Sequence, residues 1–331
     1  MKNTVKKHLK INILAVLFAV TAFLLCSCGS SGQTAEPDQS VPAQTAAAEE
    51  VEDDAVPKAM PGGGSWEPEF RSSSFDSSAA EGNDEVMVDM SSVSKGYVAI
   101  HCEPTDTKIK FQVIKGDLTV TYSVVTGKDQ IFPLQSGDGN YVFRVMKNIT
   151  DKKYAELYKC EAQVTIADPL DPFLRPNQYA DYTQNSECVK FAGSLAEGSA
   201  SKQDFIAAVY DYIVKNVTYD REKAATVQSG YLPVPDDTLS TKKGICFDYA
   251  SLAASMLRSQ GVPTQIIFGY VSPNDVYHAW NKFYTEEGGW QLVEFKVNGG
   301  DWNRIDLTFY AGNAGSDFIG DGSNYMEAYA F

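Results

Sequence analysis

An α+β architecture is expected from three observations: a small all-β sandwich first, then a domain in which helices pack on an antiparallel sheet. Residues 86–168 consist of short alternating runs divided by turn residues, the period-2 pattern of half-buried strands. Residues 201–258 carry apolar side chains at helical spacing, and residues 264–307 return to β-branched and aromatic alternation. Between the two patterns lies Pro169-Leu170-Asp171-Pro172-Phe173-Leu174-Arg175-Pro176, too rich in proline to continue either a helix or a strand. The expected boundaries are therefore 86–168 for the sandwich and 169–331 for the second domain.

Ahead of both come two segments outside the folded part. Lys2, Lys6, Lys7 and Lys10 form a basic start to an apolar run from Ile11 to Leu25, which reads as an export signal over residues 1–27. The run ends at Leu25-Cys26-Ser27-Cys28-Gly29, which resembles a bacterial lipobox and implies lipidation of Cys28. Residues 28–85 are rich in Gly, Ser, Ala, Pro and Gln, with an acidic run at 49–54. Such a composition buries too little apolar surface to offset its ordering entropy, so a disordered tether is expected. The location implied is extracytoplasmic, with the lipid holding the chain to the bacterial membrane.

The net charge is −15, and a leader with four lysines and no acid makes the remainder more negative still. Nucleic acid is an unsuitable partner, because its binding rests on phosphate neutralisation by Lys and Arg. A polybasic grip on anionic lipid is excluded on the same ground. Apart from Cys26 and Cys28 at the leader end, the cysteines are Cys102, Cys160, Cys188 and Cys246; there is no CxxC pair and histidine is scarce, so neither a zinc site nor any cofactor is expected. Cys102 and Cys160 suit either a disulfide or two buried thiols. A monomer is expected.

Within the first region, Tyr97–Cys102, Ile109–Ile114, Leu118–Val124, Tyr141–Met146 and 155–166 read as strands, and Lys115-Gly116-Asp117, Ser136-Gly137-Asp138-Gly139-Asn140 and Lys147-Asn148-Ile149-Thr150 as turns. His101 sits among them as a core-edge histidine. In the second region Ser201-Lys202-Gln203-Asp204 opens a capped helix whose apolar face is Phe205, Ile206, Val209, Tyr210, Ile213 and Val214. Residues 221–243 read as a long polar loop. Gly244-Ile245-Cys246-Phe247-Asp248-Tyr249-Ala250 then begins a second helix, stopped by Gly261 and Pro263. Thr264–Val271, Val276–Tyr284, Trp290–Lys296 and Trp302–Leu307 follow as strands.

A cysteine in the first turn of a helix meets free backbone N–H groups and the positive end of the helix dipole. Both favour thiolate, and the same N–H groups can receive an oxyanion. His278, in Tyr277-His278-Ala279-Trp280, is placed on a strand that can offer its imidazole to the helix tip. Asp306 is a carboxylate able to orient that imidazole, with Glu294 as the alternative.

Together, the Gly-Ile-Cys-Phe-Asp-Tyr-Ala run, the helix ended by Gly-Val-Pro, the His-Ala-Trp strand and Trp302-Asn303-Arg304-Ile305-Asp306-Leu307-Thr308 resemble the transglutaminase-like superfamily of papain-type folds, from about Ala192 onward. The resemblance implies Cys246 as nucleophile, His278 as base and Asp306 as orienting residue, with Trp280 and Tyr249 in the substrate and oxyanion neighbourhood. It implies a thiol enzyme that cleaves or transfers amide acyl groups through a thioester, with a surface protein or cell-wall peptide as substrate. Water greatly exceeds any amine outside the cell, which favours hydrolysis. The rival reading is a non-catalytic surface module in which Tyr179-Ala180-Asp181-Tyr182 and Asn324-Tyr325-Met326-Glu327-Ala328-Tyr329 line a binding groove.

Overall fold

The computed structural model describes residues 66–271, 276–286, 288–292, 294–296, 302–304 and 325–331. The leader, Cys28 and Asp306 lie outside them. The architecture is α+β, as the pattern requires. Strands β1 (Glu81–Gly82), β2 (Val86–Asp89), β3 (Tyr97–Cys102), β4 (Ile109–Lys115), β5 (Leu118–Val124), β6 (Asp129–Pro133), β7 (Gly139–Thr150) and β8 (Lys153–Val164) make the all-β part. They form two antiparallel sheets in the orders β1-β2-β3-β6 and β5-β4-β7-β8. Lys147-Asn148-Ile149-Thr150, which the sequence reads as a turn, is instead the end of strand β7. Alternating side chains meet between the sheets: Phe111 of β4 lies 4.7 Å from Phe132 of β6, and Tyr122 of β5 lies 4.8 Å from the same ring. Cys102 and Cys160 are free, buried thiols.

Five α-helices follow among the described residues: α1 (Glu187–Glu197), α2 (Lys202–Asn216), α3 (Arg221–Thr226), α4 (Pro235–Thr241) and α5 (Cys246–Arg258). Ser201 caps α2 by accepting from Asp204 N at 3.1 Å. The stretch 221–243 is helical in part, not a continuous polar loop. Asp220 caps α3 through Lys223 N at 2.9 Å, and Pro235 opens α4 from its first turn. Flanking these two helices, the two-residue strands β9 (Thr218–Tyr219) and β10 (Lys243–Gly244) pair in parallel just ahead of α5.

Helix α5 is the axis of the second region, with all of its residues buried. It packs on β11 (Thr264–Val271) and β12 (Val276–Thr285), in a sheet ordered β13-β12-β11-β16 with β13 (Gly289–Leu292) and β16 (Tyr325–Ala330). A smaller pair joins β14 (Glu294–Lys296) to β15 (Trp302–Arg304). Arg258 at the end of α5 is wholly buried and donates to the carbonyls of Thr264 (2.8 Å), Arg175 (3.1 Å) and Phe331 (2.8 Å).

The tyrosines of the first tyrosine-rich stretch are core residues. Tyr179 is buried, with its ring 5.7 Å from Tyr122, 5.4 Å from Phe247 and 4.8 Å from Phe331, so it bridges the sandwich and the helical region. Tyr182 is buried as well, and residues 325–330 are strand β16. One cluster of buried side chains runs from Val86 to Phe331 through both regions.

Residues 66–80, which composition assigns to the tether, lie against the body. Trp66 stacks on Phe205 of α2 at 5.0 Å, and Phe70 meets Tyr182 edge-on at 6.0 Å. Arg71 pairs with Asp168 (2.9 Å) and Asp171 (2.7 Å). Isolated aromatics in a polar stretch look like linker residues until the surface that receives them is known.

Candidate active site

Cys246 is the first residue of α5, and the local chemistry explains why the helix starts there. Ile245 precedes it in extended conformation without a polar side chain to cap the first turn. Capping comes from the other direction: Asp248, in the third helical position, accepts from Ile245 N at 2.8 Å. Gly244 makes this reach sterically feasible, since a Cβ there would stand 2.6 Å from the Asp248 Cβ. With no side chain capping them, the N–H groups of Cys246 and Phe247 have no partner among the described residues, at the end of the helix where the dipole is positive.

Asp248 is fully buried and ionically matched. Its carboxylate accepts from Lys223 Nζ at 2.7 Å and from the Tyr231 hydroxyl at 2.5 Å. Lys223 also donates to Tyr231 at 2.6 Å and lies 4.3 Å over its ring. Burial first, then the Asp248 carboxylate, pushes the Tyr231 hydroxyl well above the usual phenol range. It therefore remains a donor, and Tyr231 is held over the tip of α5.

The imidazole partner comes from β12. That strand pairs in register with β11, His278 lying opposite Gly269. Tyr277, Ala279, Asn281 and Phe283 form one face; Asn281 marks it as the α5 side by donating to Ala250 O at 3.0 Å. His278 and Trp280 alternate with them, their rings near parallel at 6.3 Å. Trp280 is buried in a small cluster with Ile267, Val271 and Leu292. Gly269 leaves the room its ring occupies, since a Cβ there would lie 2.7 Å from Trp280 Cη2.

Cys246 and His278 border one and the same cavity, of about 20 Å³. Val227, Tyr231, Phe268 and Tyr277 line it as well. Both Cys246 and His278 are 4% exposed. Tyr249 stands apart from this cavity, its hydroxyl donating to Val217 O at 2.6 Å, and Trp280 lies outside the lining too. Asp306 is beyond the described residues; Glu294 sits on β14, opposite Arg304 of β15. Burial pushes the Cys102 and Cys160 thiols up to about 12 and raises that of Cys188 as well.

Sequence reasoning does not find Tyr231 or Lys223, which sit in a polar stretch with no periodicity. A signal for Asp248 does exist, an acidic residue in the third helical position.

Residues 189–295 match the family described as the transglutaminase-like superfamily core. The matched span holds Cys246, His278 and Glu294 and ends before Asp306. Among curated relatives, the uncharacterised protein YebA of Bacillus subtilis is 24% identical over 218 residues, covering 60% of this chain and 29% of that protein. The protein-glutamine gamma-glutamyltransferase of Pseudomonas aeruginosa is 28% identical over 123 residues, 33% of this chain and 18% of that protein. The chain thus spans less than a third of the length of either relative. A solved structure of Legionella pneumophila LapG aligns over 43% of this chain and 70% of that one, at 16% identity and a TM-score of 0.29. Residues 189–295 of this chain form a domain of the transglutaminase-like superfamily.

Proposed function

We propose that this chain is an extracytoplasmic thiol enzyme of acyl transfer, held at the membrane by a lipid on Cys28. The observation that carries the reading is that Cys246, the first residue of α5, and His278 line a single cavity. Cys246 thiolate attacks a carboxamide carbon, His278 carries the proton to the departing amine, and a thioester remains for water or an amine to resolve. A neighbouring carboxylate orients the imidazole. Asp306 fits the Trp-x-x-Ile-Asp-x-Thr pattern, while Glu294 lies inside the family-matched span. Hydrolysis is the proposed outcome, with surface proteins or cell-wall peptides as substrates; the relative named as a protein-glutamine gamma-glutamyltransferase makes a glutamine side chain a natural acyl donor to try.

The test uses the soluble chain lacking its leader, incubated with a glutamine-containing protein plus a fluorescent amine, and separately with purified wall stem peptides. Cys246→Ala is expected to lower turnover by at least about 1,000-fold and His278→Ala by about 100-fold or more. Asp306→Asn and Glu294→Gln, compared side by side, identify the orienting carboxylate as the one whose loss costs more than about 10-fold. Turnover surviving in Cys246→Ala would refute the reading.

A further inference from the structure

Attack on a carbonyl leaves negative charge on its oxygen, and one backbone N–H seldom suffices to hold it. The walls of the cavity narrow the search for a second donor. Four of the side chains lining it carry polar atoms: Cys246, His278, Tyr231 and Tyr277. The first two are engaged in the proposed proton and acyl transfer. Tyr231 is spoken for, since its hydroxyl donates to Asp248 at 2.5 Å. Tyr277 remains. Its hydroxyl is enclosed and has no hydrogen-bond partner among the described residues. Its ring is fixed at 6.3 Å from Phe268 and 5.4 Å from Tyr270, on the strand face that turns toward α5. A buried hydroxyl without a partner is destabilising, and a protein recovers that loss if a ligand atom later completes the bond. The cavity itself, about 20 Å³, is of the size that one oxygen-bearing group fills.

We infer that Tyr277 is a catalytic residue, the side-chain donor to the substrate carbonyl oxygen, working with the backbone N–H of Cys246. This rests on the reading of Cys246 as nucleophile. When sulfur bonds to the carbonyl carbon, the C=O π pair moves onto oxygen, which accepts hydrogen bonds from Tyr277 Oη and Cys246 N. Neither donor gives up its proton. As the π bond re-forms, the C–N bond breaks, the amine leaves with the proton from His278, and the thioester stays on Cys246. Burial first, then the nearby phenols and the Cys246 thiol, raises the Tyr277 hydroxyl above the usual phenol range, so it donates at every physiological pH.

Two reactions of Cys246 separate this role from mere packing. Alkylation by iodoacetamide displaces iodide and forms no oxyanion, whereas acylation by 4-nitrophenyl acetate passes through one. Tyr277→Phe keeps the ring and removes the hydroxyl. It is expected to alkylate within about 2-fold of wild type but to be acylated about 100-fold more slowly. Acylation at the wild-type rate overturns the proposal, and so does an equal loss in both reactions, which would make the tyrosine a support for the thiol rather than for the oxygen. Cys246→Ala, run in parallel, keeps the underlying reading separable: if it releases nitrophenol as fast as wild type, the thiol mechanism itself fails.

Discussion

Asp248 shows how much one side chain settles here. It caps the helix that carries Cys246, neutralises Lys223 and anchors Tyr231 over the cavity. Its burial without Lys223 would be prohibitive, because a carboxylate removed from water needs both a counter-charge and hydrogen bonds. Asp248→Asn keeps the shape and loses the charge. It is expected to cost about 3 kcal/mol, read from urea denaturation, allowing for the partly exposed Lys223. A change under about 1 kcal/mol would show that Gly244 and Ile245 set the helix start without it. At this scale the candidacy of Cys246 and His278 was legible because cysteine and histidine are few and their motifs are short-range. Tyr231 was not, since its role exists only where α5 and the segment after α3 come together.

Among the elements, α2, α5, β11 and β12 follow from periodicity and stop signals, as Gly261 illustrates. It adopts φ +78° just beyond α5, a left-handed turn that glycine enters without strain. Strand β16 and the docked segment 66–80 escaped such reasoning. β16 is short, and only its pairing with β11 makes it a strand. The docked segment depends on Trp66 finding Phe205, far along the chain. Trp66→Ala is accordingly expected to lower stability by about 2–3 kcal/mol through lost apolar burial and ring stacking. Protease cutting between residues 66 and 80 should accelerate in the same variant, and unchanged cutting would mean that Arg71 with Asp168 and Asp171 is the true anchor.

Across the molecule, the shared core makes stability sensitive to alkali. Burial holds the Cys102 and Cys160 thiols and the Tyr141 phenol at about 12, against ordinary values of 9.0 and 10.0. In that window the unfolded chain has released protons that the folded chain keeps. Folding stability is thus fully present below about pH 9 and declines as pH rises toward 12. Urea midpoints measured under reductant should show a loss on the order of 1–2 kcal/mol between pH 8 and 10.5, after allowing for solvent access. Cys102→Val with Cys160→Val should flatten part of the slope; a slope unaltered by both would assign it to the tyrosines.

Composition and periodicity were enough to establish an α+β chain, its β-rich first part and the candidacy of Cys246 and His278, because those signals arise between residues close in sequence. Closure of a common cavity around the two, the ion pair beneath the helix tip, the bridging place of Tyr179 and the Tyr277 hydroxyl left without a partner among the described residues emerged only on folding. Each depends on side chains from distant segments sharing one low-dielectric space, where a hydrogen bond made or missing carries far more weight than it does along an open chain.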